Sequence, residues 1–169
     1  MSEEQKDISK INFKIYLIPV LIALGIIVAF NIYSISTYPV QRFSAIGVLD
    51  ASGGTTHYPE IVTVNETVKF TVSVVNEEDM IYYYRVIVKY GNENTTNSLF
   101  HPSKNATELT HFDCILLNEL FIFHKMSFKI PEVHNRTKII FELWKYIPLV
   151  HEFIYSGMWN HFWLNVTTP

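Results

Sequence analysis

Four side chains in the middle of this 169-residue chain have the residue types of a copper centre. They are His111, Cys114, His124 and Met126. A blue-copper site takes two imidazoles, one thiolate and a weak axial thioether. The spacing argues against it: nine residues separate Cys114 from His124, where such sites gather Cys, His and Met on one tight loop. A second candidate is "NEEDMIYYYRVIV", Asn76 to Val88, with three consecutive acids before three consecutive tyrosines. Carboxylates beside phenols can form a metal or redox site, but strand alternation sends Tyr83 to the face opposite Tyr82 and Tyr84. The expectation is a solvated hairpin turn at 76–79 joining a strand at 68–75 to one at 81–90. Glu142 and Glu152 are a third candidate, as paired carboxylates for acid–base work.

No motif supports these candidates. The seven histidines form no H-E-x-x-H pair, and neither a nucleophile elbow nor a Gly-rich phosphate loop occurs. The single cysteine, Cys114, allows no intrachain disulfide and reads as a core residue. The expectation is no catalytic residue, no metal and no cofactor. Net charge is −3. Lys6, Lys10 and Lys14 balance Glu3, Glu4 and Asp7, so the excess lies beyond residue 41, as ten bases against thirteen acids. No basic patch for nucleic acid follows from that balance.

The elements around these residues are more informative. Between Lys14 and Arg42 there is no charged residue. Within that span "IYLIPVLIALGIIVAFNIY", Ile15 to Tyr33, is almost wholly apolar and long enough for a bilayer. It is longer than a cleaved signal's apolar region and lacks a clean cleavage site. Pro19 is expected near the first turns, and Tyr16, Tyr33 and Tyr38 near the two interfaces. The sequence therefore divides into a cytoplasmic tail (1–14), a signal-anchor helix (15–35), a short linker (36–42) and an extracytoplasmic domain (43–169). Three lysines before the anchor and only Arg42 close after it place the N-terminus inside. N-x-[ST] acceptors at Asn65, Asn94, Asn105, Asn135 and Asn165 all lie beyond the anchor, which suits an outer domain carrying N-linked glycan.

The outer part reads as strands. In "VKFTVSVV", Val68, Phe70, Val72 and Val74 alternate with Lys69, Thr71 and Ser73. Similar runs cover 43–49, 81–90, 138–146 and 158–166. The stretch 111–130 reads as two strands with a turn near Asn118, with a short helix as the alternative. Six to eight short strands point to an immunoglobulin-like antiparallel β-sandwich behind one transmembrane α-helix. "YIPLVHEFIYSGMW", Tyr146 to Trp159, reads as an apolar loop. Its Tyr146, Ile147, Phe153, Tyr155 and Trp159 are candidates for contact with the lipid bilayer or another subunit.

Five stretches in order carry a resemblance: Phe43–Pro59, Val62–Glu78, Tyr82–Val88, Phe141–Tyr146 and His161–Thr167. In sequence and spacing the outer domain resembles the family known as domain of unknown function 1616, found mainly in archaeal membrane proteins. The resemblance implies an extracytoplasmic β-domain on a membrane anchor and no established activity. The chain departs from the family's pattern at Asn65, where a Gly is frequent, and in having one membrane helix where several are frequent. The functional expectation is a non-catalytic interaction or accessory subunit of a membrane complex, with other membrane or cell-surface proteins as partners. The alternative is a small redox or accessory subunit of an archaeal respiratory complex, of terminal oxidase or thiosulfate:quinone oxidoreductase type.

Overall fold

The computed structural model describes residues 3–37 and 42–169. The chain forms two units, residues 1–41 and 42–169. The first is one helix, α1 (Glu3–Thr37). Residues 3–14 of the expected tail are helical, and so are residues 36 and 37 of the expected linker; 38–41 lie outside the described residues. Leu21, Ile22, Leu24, Ile26 and Ile27 are exposed on successive sides of the helix. A helix apolar all round is built for burial in lipid or in a large core. It is the one helix among the described residues long and apolar enough to cross a membrane, and the span runs from Leu17 to Ser34. Pro19 sits inside the helix rather than in its first turn. Its missing N–H leaves the carbonyl of Ile15 without the usual partner, which spanning helices tolerate.

The second unit has eight strands: β1 (Phe43–Leu49), β2 (Ile61–Thr63), β3 (Thr67–Glu77), β4 (Tyr82–Thr96), β5 (Lys104–Leu116), β6 (Leu120–Lys129), β7 (His134–Ile147) and β8 (Glu152–Thr167). They form a three-stranded sheet, β1-β3-β6, and a five-stranded sheet, β2-β8-β7-β4-β5. With β1 and β2 as the two halves of a split first strand, this is the immunoglobulin order, A-B-E against A′-G-F-C-C′. Every pair is antiparallel except β2 with β8. The stretch 111–130 is two strands, and the helical alternative fails.

Alternation explains the core. Phe70, Val72 and Val74 of β3 face Tyr84, Val86 and Val88 of β4 and Ile139, Phe141 and Leu143 of β7, all nearly or wholly buried. Phe70 is the hub. Its ring lies 4.7 Å from Phe162, 5.7 Å from Phe128 and 5.9 Å from Phe141. Each such side chain contributes about 1.5–3 kcal/mol through burial. These rings connect the two sheets in a chain that has no disulfide.

Two expectations are corrected. The turn after β3 does not close a hairpin, because β3 and β4 belong to different sheets. It is a crossover, and two of its acids are held rather than merely solvated. Glu78 pairs with Lys145 and accepts from Ser44 Oγ at 2.8 Å, while Asp79 pairs with Arg42 at 2.7 Å. The apolar stretch 146–159 is not a loop. Tyr146 pairs with Phe153 and Ile147 with Glu152, so its residues continue β7 and β8 around a short turn at 148–151. Aromatic and β-branched residues suit that ladder. Gly157 is a bulge position inside β8, with φ +80.

Candidate functional site

β7 is buried on both faces. Ile139, Phe141 and Leu143 enter the core between the sheets; Ile140 and Glu142 alternate with them and are equally inaccessible. The outer face is covered by the segment 97–103, which connects β4 to β5 and folds back across the sheet. Ser103 N donates to Glu142 Oε1 at 2.5 Å, and Tyr155 Oη donates to Ser98 O at 3.0 Å. Lys138 Nζ donates to Asn97 Oδ1 at 2.7 Å and to Thr95 O at 3.3 Å. Gly157 permits the approach, since a Cβ there would lie 2.6 Å from Leu99 O. Leu99 and Phe100, at the crest of the segment, remain exposed, Phe100 by 85%.

Glu142 is the centre of this face. Lys89 Nζ lies 2.8 Å from its Oε2, and Trp144 Nε1 donates to the same oxygen at 3.2 Å. Both carboxylate oxygens are thus occupied, which suits a structural anchor and not a general base. Glu152, its suspected partner, is paired with Ile147 five residues further along β7, roughly 17 Å away at strand rise. The two do not form an acid–base pair.

Cations and rings alternate around Glu142. Lys89 lies over Trp144, and Lys138 over both Trp159 and Trp163, each at 5.7 Å. Arg136 lies 5.2 Å from Trp163. Towards the β7–β8 turn, Arg85 lies 4.1 Å from the Phe153 ring and grips Asp113 through two bonds of 2.7 and 2.8 Å. Tyr83 Oη also donates to Asp113, at 2.8 Å, and its ring meets Phe153 and Tyr146. Arg85 holds the Asp113 carboxyl below its ordinary range. Burial lowers Lys138; burial and then the Lys138 charge lower His161; burial and then Glu142 push Tyr155 up to about 12. Four of the five candidate contact residues, Tyr146, Phe153, Tyr155 and Trp159, make ring or hydrogen-bond contacts on this face. Ile147 ends β7 beside its turn.

The copper candidates are not brought together. His111 and Cys114 sit three residues apart on β5, hence on opposite faces. His111 Nδ1 meets Glu108 Oε1 at 2.8 Å, His124 stacks on Phe112 at 4.2 Å, and Met126 is in the core. Among the described residues no three His, Cys, Asp or Glu side chains converge as a metal site would need. Cys114 is half-buried, and burial pushes its thiol up to about 11. All five sequon asparagines are exposed.

Sequence reasoning missed two features. The covering segment 97–103 was hidden because it acts on a strand far away in sequence. Asp50 was not singled out. Its buried carboxylate accepts from Ser52 N at 2.8 Å, Gly54 N at 2.9 Å and His57 N at 3.1 Å, and so organises the β1–β2 connection.

No family model matches the chain, and no curated protein shows significant similarity to it. Solved structures resemble the chain at low identity. A β-glucosidase from Listeria innocua is 10% identical over 74% of this chain, with a TM-score of 0.49; the match spans only 16% of the glucosidase. The CARDB domain of the PF1109 protein from Pyrococcus furiosus, solved in complex with di-metal ions, is 11% identical over 75% of this chain and 89% of its own, with a TM-score of 0.46. Spo0M, a sporulation control protein from Bacillus subtilis, is 8% identical over 75% and 50%, with a TM-score of 0.43. Likenesses this distant carry no argument about activity.

Proposed function

We propose that this is a single-pass membrane protein whose sandwich faces outward and acts as a non-catalytic interaction subunit of a membrane complex. The observation that carries the reading is the outer face of the five-stranded sheet. It presents Trp, Tyr and Arg side chains already fixed by ion pairs and rings, so a partner binding there orders little. Those residue types dominate binding energy at protein interfaces, and preorganisation lowers the cost of association. Lys6, Lys10 and Lys14 before the anchor support the orientation. The resemblance to domain of unknown function 1616 accords with this reading. The redox alternative rests on four side chains that the fold distributes over two faces and two strands.

Native mass spectrometry of the full chain, extracted in mild detergent, tests the proposal. The expected result is a heteromeric assembly that the double substitution Phe100→Ser and Trp163→Ser dissociates while the chain stays folded. A wild-type protein that emerges as a lone monomer overturns it. Protease added to intact cells should digest residues 43–169; full protection would reverse the orientation.

A further inference from the structure

The two ends of the sandwich differ in chemistry. The chain enters at the end where Phe43 pairs with Glu77. The turns after β3, β5 and β7 lie at that same end, because Asn76 pairs with Leu120, Tyr82 with Leu116, and Ile147 with Glu152. Those turns and their flanks carry Met80, Ile81, Leu117, Phe121, Leu149 and Val150, each at least half exposed and Leu149 by 90%. Such a grouping exceeds the scattered apolar side chains ordinary on a soluble surface. Both of its basic side chains are paired, Arg42 with Asp79 and Lys145 with Glu78, leaving Glu77, Glu119, His151 and Glu152 at its edge.

The opposite end holds every sequon. Asn65 lies between β2 and β3, Asn94 near the end of β4, Asn105 at the start of β5, Asn135 at the start of β7 and Asn165 near the end of β8. The carbohydrate acceptors and the apolar turns are thus segregated to opposite poles.

We propose that the apolar end docks on the lipid interface, with these turns in the headgroup region and the sequon end facing away. The inference rests on the reading of α1 as a retained anchor. Connectivity selects the occupant. Only five residues, 38–42, separate the last helical residue from β1. Fully extended they reach about 20 Å, so the end that the chain enters cannot leave the vicinity of the bilayer. A glycan-free apolar surface so tethered has lipid as its nearest apolar phase. Met, Leu, Ile and Phe side chains gain by entering it, and with Arg42 and Lys145 already paired to acids the docking does not draw on anionic lipid.

The test uses the full chain with Cys114→Ala, reconstituted at one copy per phosphatidylcholine nanodisc. Single cysteines replace Leu149, Ile81, Phe100 or Val28 and carry an environment-sensitive fluorophore; some lipids carry a spin label near the headgroup. Docking predicts loss of emission at Leu149 and Ile81, persisting in high salt, with none at Phe100, which sits on the outer face of the five-stranded sheet and not at this end. Loss at Val28 reports the anchor. Quenching at Val28 but not at Leu149 or Ile81 overturns the docking and leaves the anchor intact. Shielding of Leu149 that appears only with two copies per disc, or with a copurified protein, also overturns it, in favour of that partner. No quenching at Val28 overturns the anchor reading and the docking together. The double substitution Leu149→Asp and Ile81→Asp, read by quenching at a cysteine replacing Leu117, should abolish the signal without changing tryptophan fluorescence.

Discussion

The two faces of β7 are equally inaccessible and differently built. On the inner face, Ile139, Phe141 and Leu143 are covered by apolar side chains of the opposite sheet. On the outer face, Ile140 and Glu142 are covered by a folded-back connection whose backbone N–H and carbonyl groups bond the side chains beneath it. The inner face is held by non-directional burial, which tolerates any well-fitting apolar group. The outer face is held by directional bonds, each of which leaves a costly orphan when broken. One strand therefore carries a core that makes the fold stable and a polar face that makes a loop stay in one place. The polar atoms Asn97 Nδ2 and Ser103 Oγ, buried in that loop without a protein partner, show how tightly it is pressed down.

The largest effect should come from the inner face. Phe141→Ala removes a fully buried ring that contacts Phe70, Phe128 and Phe162. A loss of about 4 kcal/mol is expected from the cavity and the lost transfer energy. Denaturant unfolding of the solubilised protein, followed by tryptophan emission, measures it. A loss under about 1 kcal/mol would mean that the two sheets are not packed through this ring.

Next comes the outer face. Glu142→Ala leaves Lys89 nearly buried without its carboxylate and frees Ser103 N and Trp144 Nε1. About 3 kcal/mol is expected, at the lower end for a broken buried pair because Lys89 keeps some access to water. The two faces diverge in what rescues them. Lys89→Met combined with Glu142→Leu should recover most of the loss, since removing both charges removes the orphan. Amide exchange at 97–103 should stay fast in the rescued protein, because the bond from Ser103 N is still gone. Slow exchange there would show that the segment is held by packing alone.

That divergence also explains what was legible in the sequence. The inner face announces itself as local period-two alternation, as at Val68, Phe70, Val72 and Val74, and so strands, class and the 116–120 turn were all readable. Which sheet a strand joins is not local. Nothing near Asn76–Ile81 distinguishes a hairpin from a crossover, and the difference lies in whether β3 finds β1 and β6 or finds β4. Three-residue β2 is too short to show a period. The outer face was misread for the same reason. Tyr146 to Trp159 looks too apolar for an exposed strand; a distant segment and a row of cations cover its Phe153, Tyr155 and Trp159, while Leu149 and Val150 at the turn stay exposed. The residue types of a contact surface were visible; its geometry came from partners 30 to 60 positions away, such as Asp113 for Tyr83 and Ser98 for Tyr155.

The smallest effect, and the one that separates the faces most cleanly, is in pH. On the inner face the rings that Phe141 touches, Phe70, Phe128 and Phe162, carry no proton, and the core's Tyr84 and Cys114, raised by burial to about 12 and about 11, are silent below pH 8. The outer face contains His161, which burial and the Lys138 charge hold below its ordinary 6.5. Between the lowered value and 6.5 the unfolded chain binds more protons than the folded one, so stability rises with pH across that window and falls as pH drops through it. A second decline follows below about pH 4.5. There Glu78, where burial is outweighed by the bonds from Lys145 and Ser44, and Asp113, held down by Arg85, must be protonated as the protein unfolds. Asp50 acts in the same direction, its carboxylate stabilised first by the Ser52 hydroxyl and then by Gly54 N–H. Stability measured from pH 8 to pH 3 should therefore fall in two steps. His161→Asn should erase the upper step and leave the lower one. Phe141→Leu should shift the whole profile down without changing its shape, because the rings around Phe141 have no proton to exchange. An upper step that survives in His161→Asn would assign it to another histidine, and the contrast between the faces would lose its electrostatic half.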